Sequence, residues 1–192
     1  MVCGIQKVSG TTIMNVRIIA GTFGGRTIDA PGRSSTHAMS ERIRNAMFNS
    51  IGDEIKNARV LDAFAGSGSI GFEAISRGAK EVVFIEKDRI AAKIIEKNIH
   101  TLNVANNTTI ISTTVSNWLN TATTGEFDII FADPPYHDVQ FSTVLRLMGL
   151  LKPTALMVLS HPGRGEVSPR TGVVVVDNRS YGNAVLTFFR RE

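Results

Sequence analysis

The sequence predicts an α/β fold, a mostly parallel sheet covered by helices on both faces. Three observations predict it. From Val60 onward, short apolar runs alternate with stretches of helical period. The run Gly66-Ser67-Gly68-Ser69-Ile70-Gly71 stands between the first apolar run and its helix and fits G-x-G-x-x-G. The last two runs, 173–176 and 184–189, follow one another without a helix, which implies an antiparallel C-terminal edge.

Residues 1–13 are polar and small and lack periodicity, so residues 1–15 are expected to form a flexible tail, with Met14 as a candidate start. Segments 16–20 and 26–28 read as two short strands, with Gly21, Gly24 and Gly25 in the turn between them. A loop at 31–35 leads to Ser40, a helix N-cap. Ile43, Met47 and Ile51 recur at helical spacing, so this helix runs to about Gly52. Residues 16–52 are thus a small β-hairpin and helix extension, and 53–192 the main domain.

In the main domain 60–64 is a strand, and 70–77 a helix ended by Gly78. A strand at 82–85 ends before Glu86, and a helix at 88–102 turns Ile90, Ile94 and Ile95 inward. Strands follow at 109–111 and 127–132, then a helix at 139–151 stopped by Pro153 and a strand at 156–160. There are no repeats.

With 192 residues, 43% hydrophobic and 20% charged, the chain has the makings of one soluble domain. No apolar run approaches the roughly 20 residues of a membrane helix. The N-terminus lacks the hydrophobic stretch of a signal peptide, so a cytoplasmic location is expected. The one cysteine, Cys3, forbids an internal disulfide and suits a reducing compartment. Charge is uneven. Residues 1–59 carry 8 basic and 4 acidic side chains, 60–150 carry 7 and 10, and 151–192 carry 6 and 3. Basic flanks around an acidic centre suit a polyanionic partner.

The glycine run alone is a weak signal and fits a dinucleotide site equally well. Asp62 breaks the tie. A carboxylate at the end of the first strand repels a pyrophosphate and attracts S-adenosylmethionine, which carries an ammonium and a sulfonium. Gly66 and Gly68 bring the backbone close to the ligand. Glu86 can accept from both ribose hydroxyls. Thr114 and Val115, after the third strand, are placed to line the adenine. Phe64 and Lys87, beside Gly66 and Glu86, complete the expected cofactor-binding set.

Asp133-Pro134-Pro135-Tyr136 closes the run 127–132. A nucleobase amine is a poor nucleophile because its lone pair is delocalised into the ring. Asp133 can accept one of its N–H groups and the carbonyl of Pro134 the other, which orients the lone pair and stabilises developing positive charge. Asp133, or water beyond it, then takes the proton. Pro134 and Pro135 stiffen the turn. Tyr136 offers a stacking face, worth about 1–3 kcal/mol, and the base must leave its stack to enter. The expected chemistry is methyl transfer to nitrogen, with Asp133, Pro134 and Tyr136 catalytic and no metal. Arg17, Arg26, Arg33, Arg42 and Arg44 in the extension are candidate phosphate contacts, and Pro135 a candidate contact to the base.

The sequence resembles the bacterial small-subunit rRNA guanine-N2 methyltransferases, the RsmD family. The matching segments are Arg17-Ile18-Ile19-Ala20-Gly21 with Gly25-Arg26, Glu41-Arg42-Ile43-Arg44 with Phe48-Asn49, and Leu61-Asp62-Ala63-Phe64-Ala65-Gly66-Ser67-Gly68. They continue in Gly71-Phe72-Glu73-Ala74, Ser76-Arg77-Gly78-Ala79, Asp133-Pro134-Pro135-Tyr136 and Tyr181-Gly182. The resemblance implies a class I S-adenosylmethionine-dependent methyltransferase fold, Rossmann-like and seven-stranded, with 53–192 as the methyltransferase domain and 16–52 on the RNA side. It implies methylation of the exocyclic N2 of a guanine in 16S rRNA, on the small ribosomal subunit or an assembly intermediate; a monomer is expected. Where the family usually has Arg-Pro-Thr this chain has His37-Ala38-Met39, and Asn45 replaces a common Glu. The competing readings are a DNA or other RNA amino-methyltransferase acting on adenine N6 or cytosine N4, a protein-glutamine methyltransferase, and a non-catalytic or NAD-type nucleotide-binding module.

Overall fold

Two sheets organise the chain. The computed structural model describes residues 7–8, 11–32, 39–122, 126–163 and 168–192. Cys3, Arg33, His37 and Ala38 lie outside the described residues.

The smaller sheet is antiparallel: β1 (Lys7–Val8), β2 (Thr11–Arg17) and β3 (Thr27–Pro31), in that order. Residues 11–15 are therefore strand, and the expected tail does not reach 15. Met14 pairs with Ala30 and Asn15 with Asp29, yet both side chains are exposed. A strand held by its partner's backbone, with little buried face, leaves no periodicity to read. At the other end β2 stops at Arg17, short of the expected Ala20. The backbone N–H groups of Ile19 and Ala20 donate to the Glu73 carboxylate at 2.7 and 3.1 Å and so leave the hairpin ladder. Helix α1 (Glu41–Ile51) follows, with the Ser40 hydroxyl accepting from the Ile43 N–H.

The main sheet contains β4 (Arg59–Asp62), β5 (Glu81–Ile85), β6 (Thr108–Ile111), β7 (Phe127–Ala132), β8 (Leu151–His161), β9 (Val173–Tyr181) and β10 (Ala184–Arg191). Their order is β6-β5-β4-β7-β8-β10-β9, parallel except that β10 runs against both β8 and β9. The expected mostly parallel seven-stranded sheet with an antiparallel C-terminal edge is what forms. Helices α2 (Ser69–Ser76), α3 (Arg89–Leu102), α4 (Val115–Trp118) and α5 (Phe141–Leu147) connect the parallel strands. The side-chain period of two sends Val60, Ile129, Phe131 and Val158 into one apolar cluster and Leu61, Ile130, Met157 and Leu159 into the other. Along α3, Ile94 and Ile95 are buried as expected, whereas Ile90 is half-buried.

Pro153 does not stop a helix. α5 ends at Leu147, and Pro153 lies inside β8, where pairing with β7 shifts between Leu151↔Phe127 and Leu156↔Ile129. A residue without an N–H is tolerated where the ladder is interrupted.

The extension is joined to α2. Ile18, Ile28, Met47 and Phe48 enter the first cluster, and the Phe48 and Phe131 rings lie 5.3 Å apart. Glu73, fully buried, accepts from Ile19, Ala20 and, at 2.7 Å, from Arg77 Nε. The Ser76 hydroxyl accepts from the Phe23 N–H at 2.9 Å and donates to the Ala20 carbonyl. Among the described residues, no helix is long and apolar enough to cross a membrane.

Candidate active site

Chain order reverses beside β4: the chain steps out through β5 to β6, then returns to β7 on the other side. A crevice opens at the carboxyl ends of parallel strands at such a point. Asp62 is the last residue of β4, Glu86 follows β5 and Asp133 follows β7. Pairing of Asp62 with Phe131, and of Phe131 with Val158, sets Asp62 level with those two apolar residues, and Asp133 and Ser160 lie on the same face two residues beyond Phe131 and Val158.

The loop after β4 is fixed by its backbone. Ala63 N–H donates to the Phe131 carbonyl and Ala65 N–H to the Ile85 carbonyl, both at 3.0 Å, while Gly66 N–H donates to Glu86 Oε2 at 2.6 Å. Gly66 has φ +53°, and a Cβ there would meet nothing nearer than the Phe64 carbonyl at 4.0 Å. The backbone at Gly66 is open to a ligand. Gly68 has a further reason to be glycine: at φ +76° its Cβ would come within 2.8 Å of the Phe72 ring at the start of α2. Gly71 lies against Phe84, whose ring a Cβ would approach to 2.2 Å, which seats α2 on β5.

Asp62 is buried. Its Oδ2 accepts from the Gly71 N–H at 3.0 Å, inside the first turn of α2, and its Oδ1 has no partner among the described residues. Burial pushes this carboxyl up to about 7, with Asp133 and Glu86 adding repulsion. Burial likewise raises Glu86, opposed by hydrogen bonds from the Asp88 and Gly66 N–H groups. Asp133 is pushed up to about 6 by burial, with the Ser160 hydroxyl pulling it back. Three carboxyls sharing one crevice, one with an unmatched buried oxygen, favour a cationic guest.

Around this centre Phe64 is half-buried, and Lys87 and Thr114 are exposed. Thr114 Oγ1 caps α4 by accepting from the Asn117 N–H at 3.2 Å. Val115 is buried, and its side chain belongs to the second apolar cluster. On the β7 side Pro134 is buried, Pro135 half-buried and the Tyr136 ring 38% exposed. The Tyr136 hydroxyl lies 2.8 Å from Ser160 Oγ. Beside this rim Asp133, Ser160, Val158, Ile70, Met47 and Met39 line a gap too narrow to hold a water molecule.

The arginines separate. Arg17 is exposed and pairs with Glu41 at 2.7 Å. Arg26 is exposed, donates to the Thr101 carbonyl at 3.1 Å and lies over the Phe23 ring. Arg42 is exposed. Arg44 does not face a partner: it is 1% exposed and donates to the carbonyls of Met39 and Arg17 at 3.0 and 2.6 Å. Its place three and four residues before Met47 and Phe48 puts it on the buried stripe of α1. Sequence reasoning also missed Glu73, Ser76 and Ser160 as structural or site residues. The available signal was a polar residue on an apolar element, Glu73 within Ser69–Ser76 and Ser160 after Leu156-Met157-Val158-Leu159.

Residues 16–190 match the family model described as Conserved hypothetical protein 95. The chain is 35% identical over 147 residues to the ribosomal RNA small subunit methyltransferase D of Haemophilus influenzae, a span covering 74% of this chain and 76% of that one. It is 37% identical over 133 residues to the protein of that name from Buchnera aphidicola subsp. Acyrthosiphon pisum, 69% of each chain. The solved structure of yhhF from Escherichia coli superposes with a TM-score of 0.82 at 28% identity, over 93% of this chain and 99% of that one. A family match across nearly the whole chain, on a sheet of this order, makes it a member of the ribosomal RNA small subunit methyltransferase D family.

Proposed function

We propose that the protein transfers a methyl group from S-adenosylmethionine to the exocyclic N2 of a guanine in the 16S rRNA of the small ribosomal subunit. One observation carries the reading: Asp62 lies within electrostatic reach of both Asp133 and Glu86, Glu86 accepts from the open backbone of Gly66, and a buried oxygen of Asp62 lacks a partner among the described residues. That donor set fits a cation with a ribose and poorly fits a pyrophosphate. Asp62, Gly66 and Glu86 would hold S-adenosylmethionine, with Phe64, Lys87, Thr114 and Val115 around them. When bound, it supplies an electrophilic methyl group on a sulfonium.

The chain's own residues prepare the nucleophile. Asp133, at about 6, is ionised at neutral pH and can accept an amine N–H, yet it is basic enough to receive the proton released as the amine is methylated. The Pro134 carbonyl offers a second acceptor on a proline-stiffened turn. Tyr136 exposes part of its ring for stacking. Arg17, Arg26 and Arg42 stand exposed on the extension for phosphate contacts. Guanine N2 as the target is what the family resemblance implies, and the names of the relatives support small-subunit rRNA as substrate.

The test is radiolabelled methyl transfer onto 30S particles that lack the modification, with the product nucleotide mapped. Label on guanine N2 is expected; label on adenine or cytosine, or on DNA alone, would overturn the assignment. Asp133→Ala should keep S-adenosylmethionine affinity by calorimetry and lose transfer by about 100-fold or more, and NAD should give no binding heat.

A further inference from the structure

We infer that the exposed face of α3 is a second RNA-docking surface, on which Arg89, Lys93 and Lys97 carry the phosphate chain of the rRNA between the crevice and the hairpin turn at Arg26. The choice of partner rests on the rRNA reading above.

The middle of the chain is acidic, yet four of the seven basic side chains in residues 60–150, Lys87, Arg89, Lys93 and Lys97, fall within eleven residues. Residues 89, 93 and 97 are four apart, so they stand one above another on α3, each step about 6 Å along the axis. All three are exposed, as are Glu96 and His100 beside them, while Ile94, Ile95, Ile99 and Leu102 turn the other face to the core. The row has two ends. Lys87, next to Glu86, stands just past β5, where the crevice opens. At the far end Arg26 donates to the Thr101 carbonyl at 3.1 Å, in the last turn of α3. Between them Lys97 donates to Asp29 at 2.6 Å and ties β3 to the row.

The helix gains nothing from this placement. Like charges four residues apart repel, and a cation in the first turn opposes the helix dipole, which favours acids there. The first turn of α3 holds no acid beyond its cap, and the cap, Asp88, directs Oδ1 to the Ile90 and Ala91 N–H groups. Lys97 has Asp29 as a counter-charge, but Arg89 and Lys93 have no ion pair among the described residues. Glu96 is the single acid on the exposed face of α3, too few for three cations. Charges set against the stability of their own element point to a guest that needs them. A phosphate chain fits: it is charged at regular intervals, and long flexible side chains can each reach a separate phosphate. A polyanion that passes both the crevice and the hairpin is the substrate itself.

The experiment measures filter binding of the full chain to naked 16S rRNA over a salt series. The double variant Arg89→Ala, Lys93→Ala should bind about 10-fold more weakly at low salt. Its slope of log K against log salt should be shallower by about 1.5, from two contacts at about 0.7–0.9 each. It should melt no lower than the wild type, since it relieves repulsion, and its S-adenosylmethionine affinity by calorimetry should be unchanged. Arg146→Ala, on α5 at the opposite face of the sheet, should leave rRNA binding as it was. An unchanged slope in the double variant, or an equal loss per charge in Arg146→Ala, would overturn the inference. So would intact rRNA binding with loss of binding to anionic lipid vesicles, which would assign the row to a membrane surface. Row-dependent rRNA binding by a wild type that methylates no guanine of 30S particles would uphold the docking surface and sink the target assignment instead.

Discussion

Asp62 concentrates the chemistry of the cofactor side in one carboxyl. Its folded-state value, about 7, stands well above the ordinary 3.8, and Asp133 at about 6 follows the same pattern. The folded protein then holds protons that the unfolded chain has released. These two groups therefore favour folding fully below about pH 4, and that contribution is lost as pH rises to about 6 and 7, at roughly 1.4 kcal/mol per group and pH unit inside the window. The ligand-free protein should accordingly melt at a lower temperature at pH 8 than at pH 5, by scanning calorimetry. Asp62→Asn removes the ionisation and should narrow that gap while abolishing S-adenosylmethionine binding. Such residues were legible in the sequence because a strand end is a one-dimensional feature: Asp62 and Asp133 each close an apolar run. Arg44 and Ser160 were not, because their roles depend on which face of an element turns inward and on which strand lies alongside.

Elements were read correctly where periodicity was strong, as in α1, α3 and β7. They were misread where a tertiary partner decided the outcome, as where Glu73 ends β2 or a shifted register absorbs Pro153. Helix α2 is the element on which both halves meet. Its first turn caps Asp62 through Gly71, and its later turns hold the extension through Glu73 and Ser76. Glu73→Ala would remove the buried carboxylate 3.9 Å from Arg44 Nε and leave two turn N–H groups without acceptors. A loss of about 3–5 kcal/mol is expected, measured by urea unfolding, with faster hydrogen exchange at Ile19 and Ala20. Gly71→Ala drives a methyl into the Phe84 ring, and overpacking of this kind costs about 1–3 kcal/mol. The same variant should also weaken cofactor binding, because the N–H that Asp62 accepts belongs to residue 71.

For the molecule as a whole, an acidic crevice lies between basic flanks, a division already present in the sequence. The crevice suits a cationic cofactor, and the exposed Arg17, Arg26 and Arg42 suit a phosphate chain. Binding to 16S rRNA fragments should weaken linearly in log K against log salt, with Arg42→Ala reducing the slope by about one. Arg17→Ala should change the slope less, since Arg17 already has Glu41 as a counter-charge.

The stitching of the turn after β2 to α2 also dictates the order of assembly. The partners of Ile19, Ala20 and Phe23 lie 53 or 54 positions further along the chain. During synthesis the hairpin emerges first, yet it stays without those partners until residue 76 has been made and α2 has formed. The extension is thus completed only once α2 has formed, and a nascent chain halted before α2 carries Ile18 and Ile28 uncovered, a target for chaperones and proteases.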